Sequence, residues 1–217
     1  MASRLARLAQ GRTATPTTTA VPTAAGNPGT ASEEACDLCA APLDPDHRHL
    51  VDISARRLLC VCRACKILFD RGGAGGGNLR LVPERRRALE DFALDDASWT
   101  ALRIPVDMAF FFHSTAAGRV VALYPSPMGA TESQLELDAW AQIEADNPVL
   151  GELETDVEAL LVSRARNMRE HWLVPVNDCY ELVGVIRTRW RGLSGGSEVW
   201  EDIDHFFDDL RSKEAAC

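Results

Sequence analysis

The chain has 217 residues, enough for one or two domains, and 46% of them are hydrophobic, enough for a real core. A net charge of −9 argues against general affinity for nucleic acid or a membrane surface, and no apolar run approaches the ~20 residues of a membrane span. Seven cysteines, five of them close together at metal-ligand spacing, fit a reducing cytoplasmic setting better than a secreted disulfide framework.

Residues 1–33 are rich in Ala, Thr and Pro and contain no aromatic residue, so they read as a disordered tail. Three arginines precede the first acid, Glu33, a weak transit-peptide feature, and no apolar core of a secretory signal is present. Residues 34–71 are the chemically specific part. Cys36-Asp-Leu-Cys39 and Cys62-Arg-Ala-Cys65 are two Cys-x2-Cys pairs, and each such turn aims two sulfurs at one ion. Between them, His49–Ile53 and Arg57–Cys62 read as two strands of a hairpin. Ala64–Phe69 reads as a short helix opened by the second pair. Knuckle, hairpin and helix in this order predict a treble-clef finger; without the helix the module resembles a zinc ribbon or a rubredoxin.

Zinc on Cys36, Cys39, Cys62 and Cys65 is the first reading of this module, and iron in a rubredoxin-like site is the alternative. A redox dithiol without metal ranks below both. Ala40 and Lys66 follow the two pairs where rubredoxin-type knuckles favour glycine, which counts against iron. Cys60 lies two residues before Cys62 and reads as a packed small hydrophobe rather than a ligand. His47 and His49 are surplus to four sulfurs and read as exposed loop histidines.

Residues 72–78 form a Gly-rich loop that lacks the Lys-Ser/Thr ending of a nucleotide loop. Charge then changes sharply. Residues 54–87 hold nine Lys/Arg against two acids, and residues 88–217 hold ten against twenty-four. The basic stripe fits phosphate, or else the acidic remainder of the same chain; it lacks interleaved aromatics for stacking bases.

Residues 79–211 predict an α+β domain with a largely antiparallel sheet, followed by a tail over 212–217. Asn78–Val82 reads as a strand and Pro83–Phe92 as a short helix or helical turn. Asp95 or Asp96 caps a turn through Leu102. Met108–Ser114 and Arg119–Tyr124 form a hairpin around Thr115–Gly118, ended by Pro125 and Pro127. Thr131 to Asp146 reads as a helix with a Thr131/Gln134 capping box, stopped by Asn147-Pro148. Val157–Val162 and Trp172–Val176 are apolar runs, strands in the first reading. Asp178 is read as the cap of a helix from Cys179 to about Arg191, and Val199, Ile203, Phe206, Phe207 and Leu210 line a last helix.

No assembled catalytic set emerges, so the chain reads as a binding protein before an enzyme. Gly192-Leu-Ser194-Gly-Gly196 fits the hydrolase elbow pattern, but helices flank it where the elbow needs a preceding strand. His113 reads as a core or edge histidine, His171 as a surface residue, and His205 as a residue of a charged helix face. Cys179 lies at a helix start, where the helix dipole favours a thiolate and the adjacent Asp178 charge opposes it, so it reads as an unassigned thiol before a reactive one.

Several stretches together, CDLC…HRHLVD…RRLLCVCRACKILF, AFFFHSTAAGRVVALYPSPMGATES and WLVPVNDCYELVGVIRTRWRGLSGG, resemble an uncharacterised actinobacterial family of unknown function. Its members are found beside nickel–iron hydrogenase structural and maturation genes. The resemblance spans residues 35–211 and implies an accessory, assembly or electron-transfer role with a protein partner, such as a hydrogenase subunit or maturation factor. It transfers no catalytic residue.

Overall fold

Four consecutive residues of Met108–Ala109–Phe110–Phe111 are buried, and all six of Glu158–Ser163 are. Side chains alternate across a strand, so burial without alternation requires cover on both faces. The computed structural model, which describes residues 34–70, 77–192 and 195–215, provides that cover.

A hairpin of β1 (Arg48–Asp52) and β2 (Arg57–Val61) leads into α1 (Arg63–Phe69), and β3 (Leu79–Leu81) pairs antiparallel with β1. The chain continues through β4 (Arg87–Ala88), α2 (Asp96–Ala101), β5 (Met108–Ser114), β6 (Arg119–Ser126), β7 (Gly129–Ser133) and α3 (Leu137–Asp146). It closes with β8 (Glu158–Ser163), β9 (Glu170–Pro175), α4 (Val176–Arg189) and α5 (Ser197–Ala215). Two sheets result, one of order β2-β1-β3 and one of order β4-β9-β8-β5-β6-β7, and their strand pairs are antiparallel. The expected α+β class with antiparallel sheets is what the chain adopts.

The larger sheet is the middle of three layers. Phe110, Leu123, Leu161, Trp172 and Val174 pack on one face against Leu182 and Ile186 of α4 and Ile203 and Phe207 of α5. Phe111, Ala122, Leu160, Val162 and Leu173 pack on the other against Trp99 of α2 and Trp140 and Ile143 of α3. Asp95 caps α2 as expected, accepting from the Ser98 amide at 2.7 Å. Asn147 ends α3 and fastens it: its amide group donates to the Ala93 and Ile143 carbonyls and accepts from the Ala93 amide.

Four local expectations are corrected. Thr131 starts no helix; it lies in β7 opposite Tyr124, and α3 begins at Leu137. Gly129, at φ +116, closes a β6–β7 turn that the capping-box pattern concealed. Pro125 does not end β6 but sits within it, beyond the last β5 partner, where β7 alone pairs with the strand. Asp178 does not cap α4, which starts at Val176; it lies inside the first turn and is buried. His171 is buried on β9, its ring tilted against Phe92 with centroids 5.0 Å apart, and burial holds its pKa down to about 4.

Pro83–Phe92 is extended rather than helical, apart from the turn after β4. Three consecutive arginines explain it. Arg85 reaches Glu158 through two bonds of 2.6 and 2.9 Å, Arg86 reaches Asp178 at 2.6 and 2.9 Å, and Arg87 reaches Glu152 at 2.9 Å. Glu158 and Asp178 are almost wholly buried, so their charges require these guanidinium partners. The chain between the sheets is therefore held straight by separate anchors. Arg48 with Glu84, Arg56 with Glu132 and Arg80 with Asp156 extend the pattern. Much of the basic stripe is thus engaged by acids of the same chain.

The two sheets meet through Val51 and Leu58 of the small sheet and Val82, Val157, Val176 and Tyr180. Replacing Arg86 by Met leaves the buried Asp178 carboxylate without its guanidinium. Urea unfolding is expected to show a loss of about 3 kcal/mol, the range for breaking a buried ion pair; an exposed pair such as Arg56–Glu132 is expected to contribute under about 1 kcal/mol.

Candidate metal centre

The chain before β1 forms a small knuckle. The Ala40 amide donates to the Cys36 carbonyl and the Cys36 amide to the Ala41 carbonyl, each at 2.8 Å. Ala35 and Pro42 bridge at its base. Ala40 has φ +58, the left-handed conformation that glycine takes at no steric cost. The residue that argued against a rubredoxin-type turn therefore adopts the turn anyway.

Cys62 follows β2 as the N-terminal flanking residue of α1, and Cys65 lies in the first turn of that helix. The Sγ atoms of Cys36, Cys39, Cys62 and Cys65 all lie within 4.8 Å of one another. Cys39 and Cys62 stand 3.6 Å apart. Four thiolates around one zinc have sulfurs about 3.8 Å apart, given Zn–S bonds of ~2.3 Å and tetrahedral angles. The four residues are free thiols rather than disulfides. Cys36 and Cys65 are buried and Cys39 is exposed. The cluster is compatible with a metal ion.

The surroundings of the sulfurs are unequal. Burial raises the Cys36 thiol, but amides of Cys62, Leu38 and Cys39 donate to its sulfur and outweigh it, bringing the thiol down to about 6. Cys65 is pushed up to about 12 by burial and by the neighbouring sulfurs. At Cys39 the Ala41 amide favours the thiolate, yet the Cys36 and Cys62 sulfurs prevail and the thiol is raised. Thiolates this close repel one another, and a shared cation removes that penalty.

Cys60 stands apart from the four. Along β2, Leu59 and Val61 enter the small core with Cys36, Leu50 and Cys65. Cys60 alternates to the other face, half-buried and opposite His49. Its half-buried side chain lies beside His47 and His49, one ligand atom of each within 4.8 Å of the others. Neither histidine is an exposed loop residue: His49 is on β1, and only 11% of the His47 side chain is exposed. The signal in the sequence was the hairpin register, which sets His49 across from Cys60 once β1 ends at Asp52 and the turn takes residues 53–56.

The remaining nucleophile and base candidates do not assemble. Cys179 is fully buried and its thiol is raised well above the ordinary value by burial and the Asp178 charge. His113 is partly exposed and pairs with Glu144 at 3.1 Å. His205 is exposed on α5. Ser194, Cys217, residues 1–33 and most of the Gly-rich loop lie outside the described residues. Among the described residues no helix is long and apolar enough to cross a membrane.

Fold and site define an α+β protein in which a four-cysteine module is joined to a three-layer domain. Residues 35–214 match a family of unknown function (DUF5947), and the chain belongs to it. No curated protein and no solved structure matches the chain.

Replacing exposed Cys39 by Ser is expected to abolish tight metal retention and to lower the melting temperature. Replacing buried Cys179 by Ala is expected to leave metal content unchanged; metal analysis after gel filtration against a chelator reads both.

Proposed function

We propose that the chain is a metal-binding accessory protein with a structural zinc on Cys36, Cys39, Cys62 and Cys65. The observation that carries this reading is the convergence of the four sulfurs to within 4.8 Å from a knuckle and a helix start. Four thiolates fill a tetrahedral ion, leaving no position for substrate or water, so the metal supplies folding energy. The module is read as a treble-clef finger because a hairpin separates the knuckle from the helix.

The accompanying role is protein interaction or assembly in a reducing, cytoplasmic setting. Leu38 of the knuckle is 40% exposed, and Ile67 and Leu68 of α1 are each 65% exposed. Apolar side chains at this exposure beside an ion-stapled turn supply the core of a contact surface. The resemblance in sequence carries the finer proposal that the partner belongs to a nickel–iron hydrogenase or its maturation machinery.

Rubredoxin-like iron is the second reading. The left-handed Ala40 and the amides donated to the Cys36 sulfur favour it, since such bonds tune a metal–thiolate potential. An enzyme reading rests on a shallow groove of about 200 Å³ between α4 and α5, lined by Glu181, Arg189, Asp202 and His205 among others. That groove carries no nucleophile matched to a base, so the enzyme reading ranks last.

The interaction is tested by affinity purification of the tagged full chain from its native cells. Hydrogenase subunits or maturation factors are expected with the wild type and are expected to be lost in Ile67→Asp/Leu68→Asp while metal content stays unchanged. Recovery of the same partners by the double variant, or of no hydrogenase-linked protein by the wild type, contradicts the proposal.

A further inference from the structure

Three more metal-ligating side chains meet on the opposite face of the β1–β2 hairpin. His49 and Cys60 are register partners. His47 stands two residues before His49, with the ring centroids 4.8 Å apart. One ligand atom from each of His47, His49 and Cys60 lies within 4.8 Å of the other two. Leu59 and Val61 face the module core and Cys60 alternates away from them, and its sulfur is not among the four that converge.

His47 provides an independent observation. Its Nδ1 lies 3.0 Å from the Asp44 carbonyl oxygen, so Nδ1–H donates there and Nε2 keeps a bare lone pair. That Nε2 is buried and has no hydrogen-bond partner. Buried polar atoms are satisfied as a rule, and an orphan needs a physical reason. An imidazole with one nitrogen fixed by a carbonyl and the other unsatisfied is arranged as metal-bound histidines are. Cys60 is also held in place: its amide donates to Asp37 Oδ2 at 2.7 Å, and its carbonyl accepts from the Asp37 amide at 2.9 Å.

We propose that His47, His49 and Cys60 form a second metal site, taking a divalent zinc-class ion on two imidazole nitrogens and one thiolate, with the fourth position open. Nitrogen and sulfur in this ratio suit ions of borderline softness. Three protein ligands with an open vertex are the mark of reactive or exchanging sites, in contrast to closed four-thiolate sites. A tetrahedral ion asks for ligand atoms about 3.3 to 3.6 Å apart, so no pair has to close by more than about 1.5 Å on loading. His49 and Cys60 are half-buried and His47 is more deeply covered, so access to the open vertex lies on the His49–Cys60 side. Binding releases the Cys60 thiol proton to water and places the ion near Asp37, whose carboxylate offsets the added charge. The closed cluster would retain its metal, and this site would exchange its own with water, a small ligand or a metal donor.

The site does not rest on the four-cysteine cluster holding metal. Cobalt(II) titration of metal-stripped full-length protein tests it, because thiolate charge-transfer intensity reports how many sulfurs each equivalent finds. The wild type is expected to take two equivalents, the second at least about tenfold weaker and removed first by a chelator. His49→Ala and Cys60→Ser are each expected to take one, with the four-thiolate spectrum unchanged; His205→Ala, far from both clusters in sequence, is expected to take two. A wild type that saturates at one equivalent with a four-thiolate spectrum overturns the proposal. So does a second equivalent that survives Cys60→Ser, or the loss of both equivalents in that variant. A single equivalent with a one-thiolate spectrum, abolished in Cys60→Ser, would support this site and contradict the four-sulfur reading instead.

Discussion

The small module depends on what holds its sulfurs together. Its core consists of Cys36, Leu50, Leu59, Val61 and Cys65, so two of its five buried members are themselves cluster cysteines. A core of that size supplies too little apolar burial to fix a knuckle, a three-stranded sheet and a seven-residue helix, and small modules of this kind rely on a staple. Unligated, the four sulfurs work against the fold, since they crowd one another and Cys65 lies buried among them. On the proposed reading, a shared ion ties the knuckle to the start of α1 and turns that opposition into folding energy.

A second constraint joins the module to the rest. The sequence between the sheets carries Arg85, Arg86 and Arg87, and the domain offers Glu158, Asp178 and Glu152 to receive them. Two of those acids are buried, and a buried carboxylate without its partner is far costlier than an exposed one. The charge asymmetry of the chain is thereby an intramolecular device, and the small sheet is positioned by the arginines on its C-terminal side. Apolar contact between Val51, Leu58 and Val157 completes the junction.

Local and periodic features of this fold were legible in the sequence. The β5–β6 hairpin, the Asp95 cap, the Asn147-Pro148 stop and the apolar face of α5 follow from spacing and turn chemistry that act within a few residues. The cysteine spacing brought out the four-sulfur cluster differently: each Cys-x2-Cys pair is local, and the match of the two pairs pointed to their meeting across 23 residues. Other long-range pairings were not legible. Pro83–Phe92 has helical composition, yet its arginines are pulled straight by acids more than sixty residues away. Thr131 satisfied a capping pattern, but sheet pairing with Tyr124 outweighed it. His47, His49 and Cys60 were each unremarkable alone, and only the hairpin register makes them a group.

The most direct test of the account is metal content by mass spectrometry on protein purified without added metal, with a visible absorption spectrum of the same sample. Tightly held zinc at one equivalent or more per chain, with no visible colour, is the predicted result. Iron with thiolate charge-transfer bands, or no metal with Cys36, Cys39, Cys62 and Cys65 all freely alkylated in the native protein, would contradict it.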